Sequence, residues 1–331
     1  MAKPHDVMDK DSIGPLLIPD TLSAWAWMFA YAAVAGSFLL VVRLQGMGQA
    51  MSRLAAQPGV PIGMNLVTYL YRWLGAGPVF LLLVVAIASL YMLVRTHAQD
   101  AGAAPASAHL LGLAALLSPA TLSLVLGYPV PSAIVLPAVA GIGWATYRSN
   151  WSALLLFSFL LLLFSHVASV VLVLSAVASL VERKPRAAIF MAGMGLVVAP
   201  SLFFALGSSQ IAAVLRGTSQ LLTHPWWSLT SSDLLRLLWT VGPVAMSLWF
   251  SSGKRLVNAW WIPTVVVLVL SFGRPSVPMW NTVSSSALGL IFVTVGRSLA
   301  GERLIERAPR VIVLASLGLV ALYAGLHHIL L

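Results

Sequence analysis

The chain has 331 residues, of which 60% are hydrophobic and 8% are charged. Soluble domains carry about 25% charged residues, so this composition excludes an ordinary soluble domain and predicts an all-α, polytopic integral membrane bundle. The net charge of +10 reflects 19 Lys and Arg against 9 Asp and Glu. Because the basic residues flank apolar runs instead of forming one soluble module, we expect them to set topology and contact membrane lipids, not nucleic acid.

Several kinds of chemistry are missing from the sequence. The chain has no Cys, which excludes thiol nucleophiles, Cys-ligated zinc and iron–sulfur clusters. It also lacks a phosphate-binding loop, a dinucleotide fingerprint and a His-Glu-x-x-His motif. We therefore expect no metal and no cofactor.

Apolar runs mark the predicted membrane spans, since a helix needs about 20 apolar residues to cross the hydrocarbon core. The predicted spans are 22–42, 73–94, 108–126, 130–147, 187–206, 237–250, 256–272, 282–295 and 311–330. A shorter amphipathic segment at 44–57 is predicted to lie in the membrane interface. No Asp or Glu falls within a predicted span, which argues against an ion-coupled transporter.

The segment 151–181 has two interpretations. It carries no formal charge and forms either one long tilted helix or two short helices that meet at Ser165-His166. The total is then about 10 or 11 transmembrane helices. Ser165 and His166 also form a candidate polar site in the membrane, because an ionisable group within a span is a functional hypothesis.

We expect residues 1–331 to form a single transmembrane domain. It comprises a polar tail at 1–21, an N-terminal helix set at 22–206, an external interfacial segment at 207–236 and a C-terminal helix set at 237–331. Basic clusters at 182–186, 254–255 and 297–310 are predicted to be cytoplasmic by the positive-inside rule. The C-terminus is then external to a membrane of the bacterial inner-membrane type.

The remaining candidate site residues are predicted to be external. Guanidinium groups match phosphate geometry, so four arginines are candidates for binding lipid phosphates or headgroups: Arg72, Arg216, Arg236 and Arg274. Asp233 is the only external carboxylate when the N-terminus is inside, and it is therefore the only candidate catalytic group.

Four short motifs occur in order between residues 65 and 206: Leu70-Tyr71-Arg72-Trp73-Leu74-Gly75, Leu117-Ser118-Pro119, Gly127-Tyr128 and Leu163-Phe164-Ser165-His166. This order resembles the C-type glycosyltransferases, polytopic enzymes that transfer sugars from polyprenyl-phosphate donors. The resemblance implies a polyprenyl-phosphate lipid as partner and favours two short helices at 151–181. In that family an acidic residue of the first outer loop acts as base or metal ligand, whereas residues 43–72 contain no Asp or Glu.

These observations lead to three functional hypotheses. The first is a glycosyltransferase-like scaffold that binds a lipid phosphate or partner chains during cell-envelope assembly and is not catalytic alone; an enzyme of this kind would use a lipid-linked sugar. The alternative is a structural membrane subunit of a secretion, conjugation or polymer-export complex. A non-coupled transporter is the third.

Overall fold

A computed structural model describes residues 62–102, 129–165, 167–205, 258–271 and 277–298, together with single positions between 108 and 124. Of these residues 91% are helical and none forms a strand, which agrees with the all-α prediction. Three of the described helices are long and apolar enough to cross a membrane, at Gly77–Asp100, Val130–Arg148 and Pro185–Leu202. The predicted spans at 22–42, 237–250 and 311–330, and most of 108–126, lie outside the described residues, as does the segment at 44–57.

The first two helices are separated by a glycine cap. Helix α1 is Ile62–Leu74 and helix α2 is Ala76–Asp100. Gly75 has a φ of 79°, and its N–H donates to the carbonyl of Tyr71 at 2.9 Å, which is a C-terminal cap that glycine favours. The predicted start of the span at 73–94 was wrong, because this cap leaves Trp73 on α1.

Helix α3, Pro129–Arg148, lies at the centre of the described bundle. Of its apolar membrane-length stretch, 89% is buried inside the protein. It confirms a helix at 130–147 and continues through Pro137. Helices α2, α4 (Trp151–Phe164) and α8 (Val277–Ser298) all pack against it. A β-carbon on Gly289 of α8 would lie 2.8 Å from the β-carbon of Val139, so the small residue lets these two helix backbones approach closely.

The uncharged segment 151–181 forms two helices, α4 and α5 (Ala168–Val181), as one of its two interpretations predicted. Ser165 breaks the helix with an extended backbone at φ −126° and ψ 129°. Its N–H donates to Leu161, and its hydroxyl accepts the N–H of Val167 at 3.3 Å. Ser165 therefore satisfies the backbone of the turn between the helices.

This turn lies inside the protein. Helix α4 has 14 residues and α3 has 20, so α4 reaches about 21 Å and α3 about 30 Å at 1.5 Å per residue. Ser165 is 2% exposed, and the neighbouring Phe164 ring packs against Gly63 of α1. A break in the helical hydrogen-bond ladder that lies away from water needs such protein cover, which α1 provides.

Helix α6 follows α5 after a three-residue loop and consists of Pro185–Gly193, a π-turn at Met194–Val198, and Ala199–Ala205. The N–H of Ala199 donates to the carbonyl of Met194, one residue further back than in an α-helix. Pro200 has no N–H to donate, which favours this local widening. The helix confirms the predicted apolar run at 187–206 apart from its last residue.

Helix α7, Trp261–Ser271, is shorter than the predicted span at 256–272. Residues 258–260 form a turn instead, in which the Asn258 side-chain oxygen accepts the N–H of Trp260 at 3.0 Å. An Asn side chain that accepts a backbone N–H two residues on stabilises a turn ahead of a helix. Helix α8 extends the predicted span at 282–295 in both directions.

Seven ends of the described helices meet at one end of the bundle, which we call the polar end. Helices α2, α3, α5 and α8 finish there, and α4, α6 and α7 begin there. Direct contacts join these ends, including Asp100 to Arg148, Lys184 to Thr146, and Asn258 to Thr294. Helix α1 lies at the opposite end, where its Gly63 meets the end of α4.

We expect the alanine variant of Gly289 to be less stable by about 1–3 kcal/mol, because its methyl group would force α8 away from α3. Gly193 on α6 is the matched control, since nothing lies within 4 Å of its added β-carbon. Gly193→Ala should leave stability unchanged or raise it, because alanine favours helix. Thermal unfolding in one detergent compares the two variants, and equal midpoints would contradict the close crossing.

Candidate functional site: the Arg297 cluster

A backbone cap ends α5 and positions two charged side chains of the loop that follows. Lys184 N–H donates to the Ser179 carbonyl at 2.8 Å, and Arg183 N–H donates to the Leu180 carbonyl at 2.9 Å. These are the two hydrogen bonds of a Schellman motif. Arg183 has a φ of 59°, at the left-handed position where glycine is preferred. The motif ends α5 and leaves Glu182 and Lys184 on either side of the strained residue.

Lys184 binds the end of α3. Its amine donates to the carbonyls of Thr146 and Tyr147, each at 2.8 Å, and lies 5.1 Å from the Tyr147 ring centroid. The last carbonyls of a helix have no helical partner and carry partial negative charge, so a cation stabilises them. Burial lowers the pKa of Lys184, as does the nearby Arg297, while Glu182 raises it.

Arg297, in the last turn of α8, binds both the loop and α3. Its guanidinium forms an ion pair with Glu182 and donates to the carbonyl of Gly143 at 3.1 Å. The group also lies 4.7 Å from the Trp260 ring and 5.4 Å from the Tyr147 ring. Only 7% of the Arg297 side chain is exposed, so these contacts replace the water that a buried cation loses.

We define the Arg297 cluster as five residues: Tyr147, Glu182, Lys184, Trp260 and Arg297. The cluster joins α3, the loop 182–184, the start of α7 and the end of α8. Two cations share the Tyr147 ring, and one carboxylate balances them. The cluster therefore carries an excess of positive charge in a partly buried place.

A hydroxyl network fixes α7 to α8 beside the cluster. The Thr264 and Thr294 hydroxyl oxygens are 2.7 Å apart, and they lie 2.7 and 3.1 Å from the Trp260 carbonyl oxygen, within hydrogen-bond distance. Asn258 adds hydrogen bonds to the Thr294 carbonyl and to Ser298. These bonds hold the Trp260 backbone, and with it the indole ring that stacks on Arg297.

Helix α2 supplies two further groups at the polar end. His97 is 1% exposed, its ring meets the Tyr147 ring edge-on at 5.7 Å, and Gly296 packs against it. Asp100 forms an ion pair with Arg148 and accepts the indole N–H of Trp144 at 3.0 Å. The Tyr147 hydroxyl donates to the Asp100 carbonyl, so the central ring of the cluster is held on several sides.

The groups of the cluster can form hydrogen bonds and ion pairs, and they join neighbouring helices. Its cations are paired with a carboxylate, carbonyls and aromatic rings, and the described residues contain no group of three His, Cys, Asp or Glu that could hold a metal ion. Three buried polar atoms of the cluster have no hydrogen-bond partner within the described structure: Glu182 Oε2, Trp260 Nε1 and Arg297 Nε. The cluster therefore keeps spare hydrogen-bonding capacity.

The two described residues that were proposed from sequence, Arg72 and Ser165, do not lie in this cluster. Arg72 is exposed on α1, at the opposite end of the bundle. Ser165 belongs to the buried turn between α4 and α5. The other candidates lie outside the described residues: Asp233, Arg216, Arg236, Arg274 and His166.

Arg72 lies among exposed aromatic rings. Tyr69 is 60% exposed and Trp73 is 74% exposed, and their ring centroids are 5.7 Å apart. Met64 and Val67 on the other face of α1 are buried. An amphipathic helix with exposed aromatic rings and a basic residue is typical of the membrane interface.

The sequence predicts that 182–186 and Arg297 lie in cytoplasmic loops, but it does not predict the pairing of Glu182 with Arg297. Their separation of 115 positions leaves no local pattern to detect. One signal was available, because Glu182 is the only acid between Asp100 and Asp233. A lone acid among basic residues at a helix end is a candidate partner for a buried cation.

Comparison with known protein families, with curated proteins and with solved structures finds no match.

Substituting Arg183 tests the strained cap. Arg183→Gly should raise the free energy of unfolding by about 1 kcal/mol, because glycine adopts a left-handed backbone without a steric cost. Arg183→Ala removes the same charge and keeps the strain, so it should not stabilise the protein. Denaturant unfolding of both variants distinguishes the outcomes; equal stability of the two would contradict a left-handed Arg183.

Proposed function

We propose that this chain is a multi-pass membrane protein that binds the phosphate of a membrane lipid at its α1 end and serves as a scaffold in cell-envelope assembly. One observation carries the proposal: Arg72 is exposed beside Tyr69 and Trp73 on an amphipathic helix. The polyprenyl-phosphate lipids used by C-type glycosyltransferases are the substrate class that the sequence resemblance suggests.

The chemistry of α1 supports a phosphate partner. A guanidinium offers two parallel N–H donors that match phosphate oxygens, and aromatic rings stay at headgroup depth. The positive-inside rule puts the polar end, with its Glu182–Arg186 segment, in the cytoplasm. Arg72 would then face the outer leaflet, together with the other arginines predicted to be external: Arg216, Arg236 and Arg274.

A scaffold role is favoured over a complete enzyme. A sugar transfer normally needs a positioned base to deprotonate the acceptor, and residues 43–72 contain no Asp or Glu. In this proposal Asp233 is the sole external carboxylate available for such chemistry. The chain would present a bound lipid phosphate to a partner protein of the bacterial inner membrane.

Native mass spectrometry of the purified protein, titrated with a polyprenyl phosphate, tests the proposal. Arg72→Ala should weaken binding about tenfold, since a charged hydrogen bond contributes about 1.5 kcal/mol or more. A parallel titration with phosphatidylglycerol separates a polyprenyl site from general headgroup attraction. Selective loss of the polyprenyl phosphate supports the proposal in full.

Arg186→Ala is the matched control, because Arg186 is an exposed arginine at the opposite end of the bundle. It should leave binding of the polyprenyl phosphate unchanged. Unchanged binding by Arg72→Ala, or an equal loss in both variants, would contradict a phosphate site on α1.

A further inference from the structure

Four buried polar atoms near the end of α5 have no hydrogen-bond partner within the described residues. They are Ser179 Oγ, Glu182 Oε2, Trp260 Nε1 and Arg297 Nε. Native proteins leave few buried polar atoms unsatisfied, because each one has given up its hydrogen bonds to water. Four such atoms in one region of the protein indicate a bound group that supplies the missing hydrogen bonds.

Three of these atoms belong to side chains in direct contact. Glu182 and Arg297 pair through Oε1 and Nη1, which leaves Oε2 of the carboxylate and Nε of the guanidinium beside the pair. The same guanidinium lies 4.7 Å from the centre of the Trp260 ring, and the unpartnered Nε1 is an atom of that indole. The three atoms are therefore close enough for one small ligand to contact them.

Ser179 adds a hydroxyl group from the last turn of α5. The residue is fully buried, and its carbonyl accepts the N–H of Lys184. It precedes Glu182 by three positions, and residues three apart on a helix are neighbours on its surface. The Ser179 hydroxyl is thus placed to donate to a ligand that also contacts Glu182.

The hydrogen-bonding character of the four atoms restricts the chemistry of the ligand. Indole and guanidinium N–H groups only donate, a serine hydroxyl can donate, and a carboxylate oxygen only accepts. A simple anion such as chloride suits the three donors but is repelled by Glu182 Oε2. An oxyanion that carries one O–H group suits all four, because its oxygens accept and its O–H donates to the carboxylate.

The surrounding charge favours a ligand with one negative charge. Arg297 and Lys184 are cations, and Glu182 is the one carboxylate that interacts with both. A water molecule would complete the hydrogen bonds, whereas a monoanion would also balance the remaining positive charge. The region is close to the surface, because 18% of the Glu182 side chain is exposed, so a small ion can enter from water.

We propose that Ser179, Glu182, Trp260 and Arg297 form a binding site for a small oxyanion that has one negative charge and one O–H group, as hydrogen carbonate and dihydrogen phosphate do. The N–H groups of Trp260 and Arg297 and the hydroxyl of Ser179 donate to the ion, and its O–H donates to Glu182. This oxyanion site lies at the polar end and is independent of lipid binding at α1.

Equilibrium binding of radiolabelled phosphate and of radiolabelled hydrogen carbonate to the full chain in detergent tests the oxyanion site. We expect saturable binding of at least one of the two ions, and the ion that binds more tightly is identified as the ligand. Nitrate and chloride, added at the same ionic strength, should displace the label at least about tenfold less effectively than the unlabelled oxyanion. Neither of them has an O–H group to donate to Glu182.

Trp260→Phe should weaken binding of the oxyanion about tenfold, because it removes the indole N–H and keeps an aromatic ring beside Arg297. Trp144→Phe is the matched control: its indole N–H lies at the same end of the bundle but already donates to Asp100, so the affinity should stay unchanged. Arg72→Ala should also leave the affinity unchanged, which separates this site from the lipid site proposed on α1.

Ser179→Ala is a second variant that should weaken binding about tenfold. It removes a hydroxyl without a partner within the described residues, so it remains informative where Trp260→Phe fails to fold. The absence of saturable binding of both oxyanions would overturn the proposal, since water would then satisfy these atoms. Equal displacement by nitrate or chloride would also overturn it, as would natural affinity in both Trp260→Phe and Ser179→Ala.

Discussion

The structure depends on how the buried guanidinium of Arg297 is neutralised. With 7% of its side chain exposed, Arg297 cannot rely on water, and leaving it unpaired would cost several kcal/mol. Glu182, the Gly143 carbonyl and the rings of Trp260 and Tyr147 supply what water would otherwise provide. Since these groups come from different helices, satisfying one cation fixes the relative positions of α3, α5, α7 and α8.

Helix caps place the partners of this cation. The Schellman motif that ends α5 sets Glu182 and Lys184 on the two sides of Arg183, so one side chain reaches α8 while the other reaches α3. A second cap of the same kind ends α3, where Asn150 N–H donates to the Ala145 carbonyl and Ser149 has a φ of 56°. Both caps lie at the polar end. At that end two helices therefore have hydrogen-bonded caps beside charged side chains, whereas α1 exposes aromatic rings at the opposite end.

The positions of the helices can be predicted from the sequence more accurately than the contacts between them. Hydrophobic run length located α3 within one residue at each end, because a long apolar helix has a local signature. It placed the start of α2 wrongly, because the predicted span begins ahead of Gly75, although the Gly-Ala-Gly-Pro sequence at 75–78 marks the break. The turn at Ser165 was one of two interpretations, and it depends on cover from Gly63 of α1, about 100 positions earlier. The pairing of Glu182 with Arg297 required the fold itself, and helix α1, which carries the exposed Arg72, was not predicted from the sequence.

A double-mutant cycle on Glu182 and Arg297 tests the central claim most directly. The free energy of unfolding is measured in one detergent for the natural chain, Glu182→Gln, Arg297→Met and the double variant. Each single change should cost about 3 kcal/mol or more, because it leaves the other charge buried and unpaired. The double variant should lose less than the sum of the two by at least about 1 kcal/mol. Additive losses, or single losses near zero, would contradict the dependence of the bundle on this ion pair.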